Sequence, residues 1–423
     1  MILSRFNFLT DLALKLAWKL AFGLPYFRVF VGGQIILWFE FSLNAQLEIT
    51  NRTRFDNYRS SLLINNINVD NNKVLKSKLK IIHITNFNER HNGRLFYNTG
   101  KRINNGLVRL GHSVLEFSDR DILSNHRKLN DLNGAKYLNK KLLTVIGNYV
   151  PDLIMLGHAD LVNIKTLKLI KQYYPQIKIS QWFLDRMDSK WIINKKRFLN
   201  KIDIMDASFC TTHPSVLKFD VTKPIYYIPN PVDESFEKLN NFKHKELKND
   251  VFFAMSHGVH RGGLKKGKID DRELIINKLL KKNKEIKFDI YGMNKKQPIW
   301  GDQFIDRISN SSMGLNLSRG KPIKYYSSDR IAQLLGNGLL TFVDNKTMFG
   351  NFLNKNEIIL YDNLDDLTYK IKKYKKDDLM RKKIAKNGKQ KYFKYFNSTI
   401  IAEYILSKSL DYKPKTKFIW DKN

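Results

Sequence analysis

Short apolar runs that alternate with amphipathic stretches constrain this chain more than any other feature of its sequence. Each run has the length and the β-branched or aromatic content of a buried strand, and the gaps have helical spacing. Strands separated by helices form parallel sheets, because the crossover between two parallel strands needs a helix-sized connection. The runs lie at residues 79–85, 112–117, 151–156, 177–184, 206–212 and 225–229, and then at 250–256, 286–292, 312–318, 338–344 and 357–362.

The alternation restarts at residue 250, after the proline-marked segment "IPNPVDESFEKLNNFKHKE". It therefore predicts an α/β protein with two doubly wound parallel-sheet lobes and a cleft between them. We predict a first lobe over 79–229, a hinge over 230–249, a second lobe over 250–395, and a C-terminal helix and tail over 396–423. A tail of this kind can pack back across the hinge. Ligands of such folds bind in the cleft, at the carboxyl ends of the strands.

The N-terminal part of the chain does not follow this alternation. Residues 1–50 read as an amphipathic and apolar helical extension, and residues 51–78 as a polar, Asn-rich linker. In residues 4–22, apolar side chains recur at helical spacing and Asp11, Lys15 and Lys19 share another face, which argues against a cleaved secretory signal. The apolar run 29–39 is too short to span a bilayer. A membrane-docking hairpin, a true span and packing against the body are the open alternatives.

The chain is strongly basic, with 74 Lys and Arg residues against 40 Asp and Glu residues and a net charge of +34. Such an excess indicates nucleic acid, an anionic membrane or an acidic substrate as a partner. Lysine is spread over the whole chain, however, and no motif interleaves basic and aromatic side chains, so we predict no nucleic-acid partner. Cys210 is the single cysteine, which excludes an intramolecular disulfide and fits a cytoplasmic protein.

Candidate residues of the first lobe follow its predicted strands. Gly93 lies at the turn from the first strand to a helix, where the backbone can approach a ligand, and His91 precedes it. Asp185 and Asp188 follow the fourth strand, where a carboxylate can orient or deprotonate a hydroxyl. We assign catalysis to His91 and Asp185, and acceptor binding to Gly93 and Asp188. The alternatives are a turn without a ligand, a structural histidine, and loop aspartates that pair with Arg186 or cap a helix.

Candidate residues of the second lobe cluster after two of its predicted strands. A glycine-rich, basic segment follows the first of them, and its fixed cations can neutralise a diphosphate leaving group. The alternative is a solvated loop. A polar helix start, "SSDR", follows the other strand, and either serine can cap that helix. The candidate residues are Gly258, Arg261, Lys265, Lys266, Arg272, Ser327, Ser328, Asp329 and Arg330.

No cofactor or metal site is predicted. The spacing G-x-G-x-x-G of a dinucleotide site does not occur after the first strand. His257 and His260 lack a carboxylate partner, and Asp185 and Asp188 are three residues apart on a predicted loop, which is a poor metal pair.

Several motifs together resemble the GT-B glycosyltransferases of the group-1 (family 4-like) type, over residues 80–404. "GHSV", "PDLIML" and the hinge "IPNPVD" are similar to motifs of that family's first lobe and hinge. "SHGVHRGGLKKG" looks like its diphosphate loop, and "RIAQLLGNGLLTF" looks like its helix written Glu-Ala-x-Ala-x-Gly. The resemblance implies two Rossmann-like lobes, with a nucleotide sugar in the second lobe and the acceptor mainly in the first.

The chain departs from the family at an acidic pair. The family's ribose-binding glutamate falls on Gln333, and its partner glutamate falls on Tyr325. An amide can still hydrogen-bond a ribose, so Gln333 joins the predicted donor-binding residues. Tyrosine cannot replace a carboxylate at the sugar.

The resemblance implies transfer of a sugar from a nucleoside-diphosphate donor to a hydroxyl of a cell-envelope glycan or lipid-linked saccharide, with retention of configuration. The expected partners are a nucleotide sugar, a saccharide or lipid-linked acceptor and, through residues 4–43, an anionic membrane surface. The expected location is the cytoplasm, peripheral to the inner face of the cell membrane. The alternatives are a catalytically inactive GT-B scaffold, favoured by the loss of both glutamates, and a basic nucleic-acid-binding protein.

Overall fold

Two parallel sheets organise the chain in the computed structural model, which describes residues 78–188, 191–217, 222–256, 271–414 and 416–421. The predicted N-terminal extension and most of the linker lie outside these residues. The first sheet has the strand order β2-β1-β3-β4-β5-β6, and every neighbouring pair is parallel. Its strands are β1 Lys80–Thr85, β2 Ser113–Ser118, β3 Leu153–Gly157, β4 Lys178–Phe183, β5 Ala207–Cys210 and β6 Ile225–Tyr227.

The second sheet begins after the hinge and has the order β11-β10-β9-β7-β8, again all parallel. Its strands are β7 Asn249–Ala254, β8 Phe288–Tyr291, β9 Ser311–Asn316, β10 Leu340–Asp344 and β11 Ile359–Tyr361. Each strand of both sheets overlaps the apolar run that predicted it, so the prediction of two doubly wound parallel-sheet lobes is confirmed. The exact domain limits stay predictions.

Helices lie between the strands along the chain, and the central strands of each sheet are buried along most of their length, as expected for parallel strands covered on both faces. In β3, all five residues are buried. The described α-helices are α1 Thr99–Arg109, α2 Asp119–Asn125, α3 Ala135–Tyr149, α4 Ile164–Tyr173, α5 Ile192–Leu199, α6 Pro214–Leu217, α7 Asp271–Lys282, α8 Gly301–Ser309, α9 Arg330–Gly336, α10 Leu364–Lys376, α11 Asp378–Phe396 and α12 Ser398–Leu410. Among the described residues, no helix combines the length and apolarity that crossing a membrane requires.

Residues Leu123–Asn148 belong to a compact unit separate from the one that contains both sheets. Within this unit, the backbones of Lys128 and Asp131 exchange hydrogen bonds of 3.2 and 3.0 Å. The rings of His126 and Tyr137 are stacked, with their centroids 3.9 Å apart. The sheets, the hinge and the remaining described helices form the other unit, and the candidate site lies there.

The C-terminal helix α12 returns to the first lobe, as the sequence led us to expect for the tail. Asn397 ends α11 and caps α12 by accepting a hydrogen bond from the N–H of Ile400. Ile401 and Ile405 are fully buried in the same core as Ile103 of α1. The two helices approach closely at Gly106. The tail therefore connects the second lobe to the first through a packed interface.

Buried ionic contacts hold the hinge against α1. Arg109 donates two hydrogen bonds to Asp233, at 2.7 and 2.9 Å. Although burial acts to raise the pKa of Asp233, hydrogen bonds from Arg109 and Ser235 lower it to about 2. Arg102 forms a bidentate pair with Glu237, and both side chains are almost completely buried. The hinge is therefore fixed by charged groups that its apolar pattern did not reveal.

Candidate active site in the cleft

A cavity of about 460 Å³ lies where the carboxyl ends of β1 and β7 face each other. This is the place at which a doubly wound fold is expected to bind its ligand. Both lobes contribute walls. The first-lobe wall comprises Asn86, Asn88, Arg94, Leu95, Tyr97 and Asn98, and the second-lobe wall comprises Ala254, Met255, Ser256, Arg272, Pro298, Ile299, Trp300, Gly301, Phe304, Ser328, Asp329, Arg330 and Gln333.

Asparagine side chains shape the first-lobe wall. Asn88 has a left-handed backbone with φ of 66°, and its amide donates to Asn86 O at 3.1 Å. Asn98 is the N-cap of α1, because its side-chain oxygen accepts the N–H of Lys101 at 2.9 Å. Its amide also donates to Leu95 O at 2.9 Å. These bonds help to fix the loop between β1 and α1.

Arg330 organises the second-lobe wall. Its Nε and Nη2 donate to Ala254 O at 3.1 and 3.0 Å, and its Nη1 donates to Leu317 O at 2.7 Å and Ser328 Oγ at 2.8 Å. The guanidinium also lies 4.9 Å from the ring centre of Phe253. Arg330 therefore lines the cavity, as predicted, while most of its donors tie the end of β7 to the chain that follows β9.

The predicted serine cap of α9 is wrong. Asp329 is the N-cap and makes no side-chain cap bond. Ser327 Oγ instead donates to Asn316 Oδ1 at 2.9 Å, and Ser328 Oγ accepts from Arg330. The stronger donor nearby, the guanidinium of Arg330, thus replaces the backbone N–H groups as the partner of Ser328.

Other predicted donor-binding residues occupy different positions. Asp329 and Gln333 line the cavity, whereas Ser327 is buried and is not a wall residue. Arg272 in the first turn of α7 is also a wall residue. The predicted Gly258, Arg261, Lys265 and Lys266 lie outside the described residues. Ser256, the last described residue before them, and Arg272, the second described residue after them, both line the cavity.

Tyr325, which stands where the resemblance expects a glutamate, lies outside the set of wall residues. It has a left-handed backbone with φ of 55°, and its ring packs against Phe352 with centroids 4.5 Å apart. Its hydroxyl accepts from Asn351 Nδ2 at 2.7 Å. Tyrosine is therefore used as a packing residue at this position.

The predicted catalytic His91 lies beside the cavity and is not a wall residue. It ends a short 3-10 helix, Glu89–His91, which Asp121 fixes by accepting the N–H groups of Glu89 at 2.9 Å and Arg90 at 3.2 Å. Burial, together with the positive charges of Arg90 and Arg94, lowers the pKa of His91. The imidazole is therefore neutral near pH 7 and able to accept a proton. Gly93 follows it with φ of +78°, the left-handed conformation that favours glycine.

Asp185 and Asp188 follow β4 and have different surroundings. Asp185 is 54% exposed, and its carboxylate lies 3.8 Å from both His158 Nδ1 and Arg197 Nη1. Asp188 accepts from Arg186 Nε at 2.9 Å, which is the pairing that the sequence left open as the alternative. Arg186 also donates to the carbonyls of Arg319, at 2.9 Å, and Lys321 in the second lobe. Neither aspartate is a wall residue, and the roles assigned to them stay predictions.

Sequence reasoning missed three wall residues that join the lobes. The guanidinium of Arg94 lies 5.6 Å from the ring centre of Trp300, and Tyr97 OH donates to Asp302 Oδ1 at 2.7 Å. That hydrogen bond raises the pKa of Tyr97. The sequence signal for Trp300 is an aromatic residue between Pro298 and Gly301, directly before a helix. No local signal marks Arg94 or Tyr97.

The described residues contain no group of three His, Cys, Asp or Glu side chains that could hold a metal ion. The polar groups of the cavity walls are mainly amides, hydroxyls and guanidinium groups, which suit hydroxyls and anionic oxygens better than a cation.

Comparison with known proteins agrees with this geometry. The chain is similar in structure to a glycosyltransferase from Rickettsia africae, with a TM-score of 0.51, 12% identity and coverage of 79% of this chain and 99% of the other. It is similar to sucrose-phosphate synthase from Thermosynechococcus elongatus, with a TM-score of 0.50, 11% identity and coverage of 78% and 98%. The chain has the GT-B fold. No curated protein sequence matches it.

Residues 272–407 match a family model described as glycosyl transferase-like. The match begins at Arg272, continues through Ser328 to Gln333, and ends in α12, so it includes much of the second-lobe wall. The resemblance to group-1 GT-B glycosyltransferases is thereby confirmed.

Proposed function

We propose that the protein transfers a glycosyl group from a nucleoside-diphosphate sugar to the hydroxyl of an acceptor. The observation that carries the proposal is the cavity at the carboxyl ends of β1 and β7, because its wall from Arg272 to Gln333 falls within the glycosyl transferase-like match. Transfer breaks the bond between the anomeric carbon and the diphosphate and forms one to the acceptor oxygen. The acceptor proton goes to a base or to the leaving phosphate.

The second-lobe residues would hold the donor. Arg272 would bind the diphosphate together with the cations of the preceding basic segment, Arg261 and Lys265 or Lys266. Fixed positive charge stabilises the leaving group as negative charge develops on it in the transition state. Arg330 would act mainly by holding the ends of β7 and β9 in register, because its N–H groups already donate to Ala254 O, Leu317 O and Ser328 Oγ.

The first-lobe residues would receive the acceptor. His91 is neutral near pH 7, which suits it to take the proton from the acceptor hydroxyl. Asp185, in the loop after β4, is an exposed carboxylate that could take this proton instead. Gly93 and Asp188 would shape the acceptor side. The inactive scaffold remains the competing function, since glutamine and tyrosine replace the two family glutamates.

Gln333 provides the test that separates these two functions. An amide oxygen accepts hydrogen bonds from ribose hydroxyls less strongly than a carboxylate does. Gln333→Glu should therefore keep or tighten binding of the nucleotide sugar, whereas Gln333→Leu should weaken it by about 1–3 kcal/mol, as hydroxyls lose their partner. The measurement is calorimetric titration of the full chain with a panel of nucleotide sugars.

The matched control is Gln303→Leu, which changes an exposed glutamine on α8 outside the cavity wall. It should leave donor affinity unchanged. Equal affinities for wild type, Gln333→Glu and Gln333→Leu would remove Gln333 from the site. If no member of the panel binds wild type, the scaffold function is favoured instead.

We further propose that the acceptor belongs to a cell-envelope glycan or lipid-linked saccharide and that residues 4–43 bring the protein to an anionic membrane surface. The apolar spacing of residues 4–22 supports this proposal.

Leu12→Glu with Leu16→Glu should reduce co-sedimentation with anionic vesicles about tenfold or more, because two apolar side chains would no longer enter the interface. Leu379→Glu with Met380→Glu, on exposed positions of α11, is the control. Equal losses for both pairs would assign vesicle binding to overall charge.

A further inference from the structure

Arg94 and Trp300 form a contact between the two lobes inside the cavity. Arg94 belongs to the loop between β1 and α1, and Trp300 immediately precedes α8. The guanidinium lies 5.6 Å from the indole centre, and both side chains are cavity walls. The bond of 2.7 Å between Tyr97 OH and Asp302 Oδ1 joins the same two segments. The two side chains are thus held together by neighbouring contacts.

Each of the two side chains has a donor here that finds no partner among the described residues. Arg94 Nε and Trp300 Nε1 are buried, and neither finds an acceptor among the residues that the structure describes. No described carboxylate pairs with Arg94. Because most buried donors in folded proteins are hydrogen-bonded, two adjacent exceptions in one cavity indicate a ligand that supplies the acceptor.

The chemistry of these donors restricts that acceptor. An arginine Nε and an indole Nε1 can only donate, so they need an oxygen or an unprotonated nitrogen. A carbonyl oxygen has two lone pairs and can serve both donors, whereas a ring nitrogen of a base has one. The surrounding wall is apolar at Leu95, Ile299 and Phe304, which suits the flat face of a base more than a phosphate.

We propose that Arg94 and Trp300 bind a carbonyl oxygen of the donor's nucleobase and thereby select uracil, thymine, guanine or cytosine over adenine, which has no carbonyl group. This inference rests on the proposed function, since it assigns the base end of the same donor. Both lobes then contact the base, and donor selection depends on the loop of the first lobe as well as on the second lobe.

The test uses the full chain and calorimetric titration with UDP, dTDP, GDP, CDP and ADP. Wild type should bind at least one of the first four at least tenfold more tightly than ADP. Trp300→Phe keeps an aromatic ring and removes the N–H donor together with the second ring of the indole, and Arg94→Lys keeps the charge and removes Nε together with the rest of the guanidinium. Each variant should weaken binding of the preferred nucleotide about 5- to 15-fold, which corresponds to the loss of one hydrogen bond. Binding of ADP should change less than twofold.

A matched control lies outside the cavity. Trp191 also has a buried indole N–H without an acceptor among the described residues, and Arg319 lies 5.0 Å from its ring centre. Trp191→Phe should leave all five affinities unchanged. A loss equal to that of Trp300→Phe would overturn the proposal.

The remaining outcomes are also decisive. If Trp300→Phe and Arg94→Lys weaken the binding of ADP as much as the binding of the other nucleotides, the acceptor oxygen lies on the ribose or diphosphate, and the proposal fails. If wild type binds none of the five nucleotides, the proposed function fails with it. If wild type binds and neither variant changes affinity, only this inference fails.

Discussion

Arg102→Met should lower the free energy of unfolding by about 3–5 kcal/mol, because it leaves the carboxylate of Glu237 buried without its counter-charge. The side chains of Arg102 and Glu237 are 1% and 2% exposed. Arg102 Nε donates to Glu237 Oε2 at 3.3 Å, its Nη2 donates to Oε1, and its Nη1 donates to Tyr97 O at 3.0 Å. Glu237 also accepts the N–H of Asp233 at 2.8 Å. The measurement is the midpoint and slope of urea denaturation.

The neighbouring residue on α1 supplies the control for this prediction. Lys101 pairs with Glu116, but their side chains are 20% and 38% exposed, so water screens the interaction. Lys101→Met should therefore lower the free energy of unfolding by less than about 1 kcal/mol. The double variant Arg102→Met with Glu237→Leu should recover part of the loss, because no charge then stays buried alone. Equal losses for Lys101→Met and Arg102→Met would contradict the assigned role of burial.

Gly106→Ala should destabilise the protein by about 3 kcal/mol, at the upper end of what overpacking usually costs. A Cβ atom at Gly106 would overlap the carbonyl oxygen of Ser398 and lie 2.5 Å from its carbonyl carbon. Backbone atoms cannot rotate away as a side chain can, so α1 and α12 must separate. The direction of the change in stability is diagnostic, because a glycine-to-alanine substitution inside an unobstructed helix stabilises that helix by about 1 kcal/mol. Thermal denaturation of the full chain measures the change.

A second glycine provides the comparison for Gly106. At Gly350, an added Cβ atom would meet only the Cδ1 atom of Leu360, at 2.9 Å. The end of a leucine side chain can move, so Gly350→Ala should cost less than about 1 kcal/mol. A stabilising effect of Gly106→Ala would show that α1 and α12 do not pack as closely as described.

The fold could be predicted because strand formation in a parallel sheet depends on local sequence. A strand buried on both faces must be apolar along its whole length, and β3 is an example with five buried residues. Each such run is visible without knowledge of its neighbours. The order of loops at the carboxyl ends of the strands follows from the topology, so the sequence also predicted Asp329, Arg330 and Arg272 near the cleft.

The candidate site was predicted less completely, because a polar side chain has several possible partners within reach. Ser328 was predicted to cap α9, but it accepts from Arg330. Asp188 accepts from Arg186, the pairing that the sequence left open as the alternative, and its role in acceptor binding stays a prediction. In both places a guanidinium bonds to the oxygen concerned, and the position of that guanidinium depends on contacts distant in sequence.

The sequence by itself determined the two parallel sheets, their strands, the segment that separates them, and which loops lie at the ligand-binding edge. Those features arise from burial patterns that extend over a few residues. Only the tertiary structure decided that Arg94 contacts Trp300, that Arg102 is buried with Glu237, and that α12 packs on α1 at Gly106. The bond between Tyr97 and Asp302 joins residues 205 positions apart. Contacts of this kind depend on how packed elements meet in space, and no local pattern of apolar and polar residues specifies that geometry.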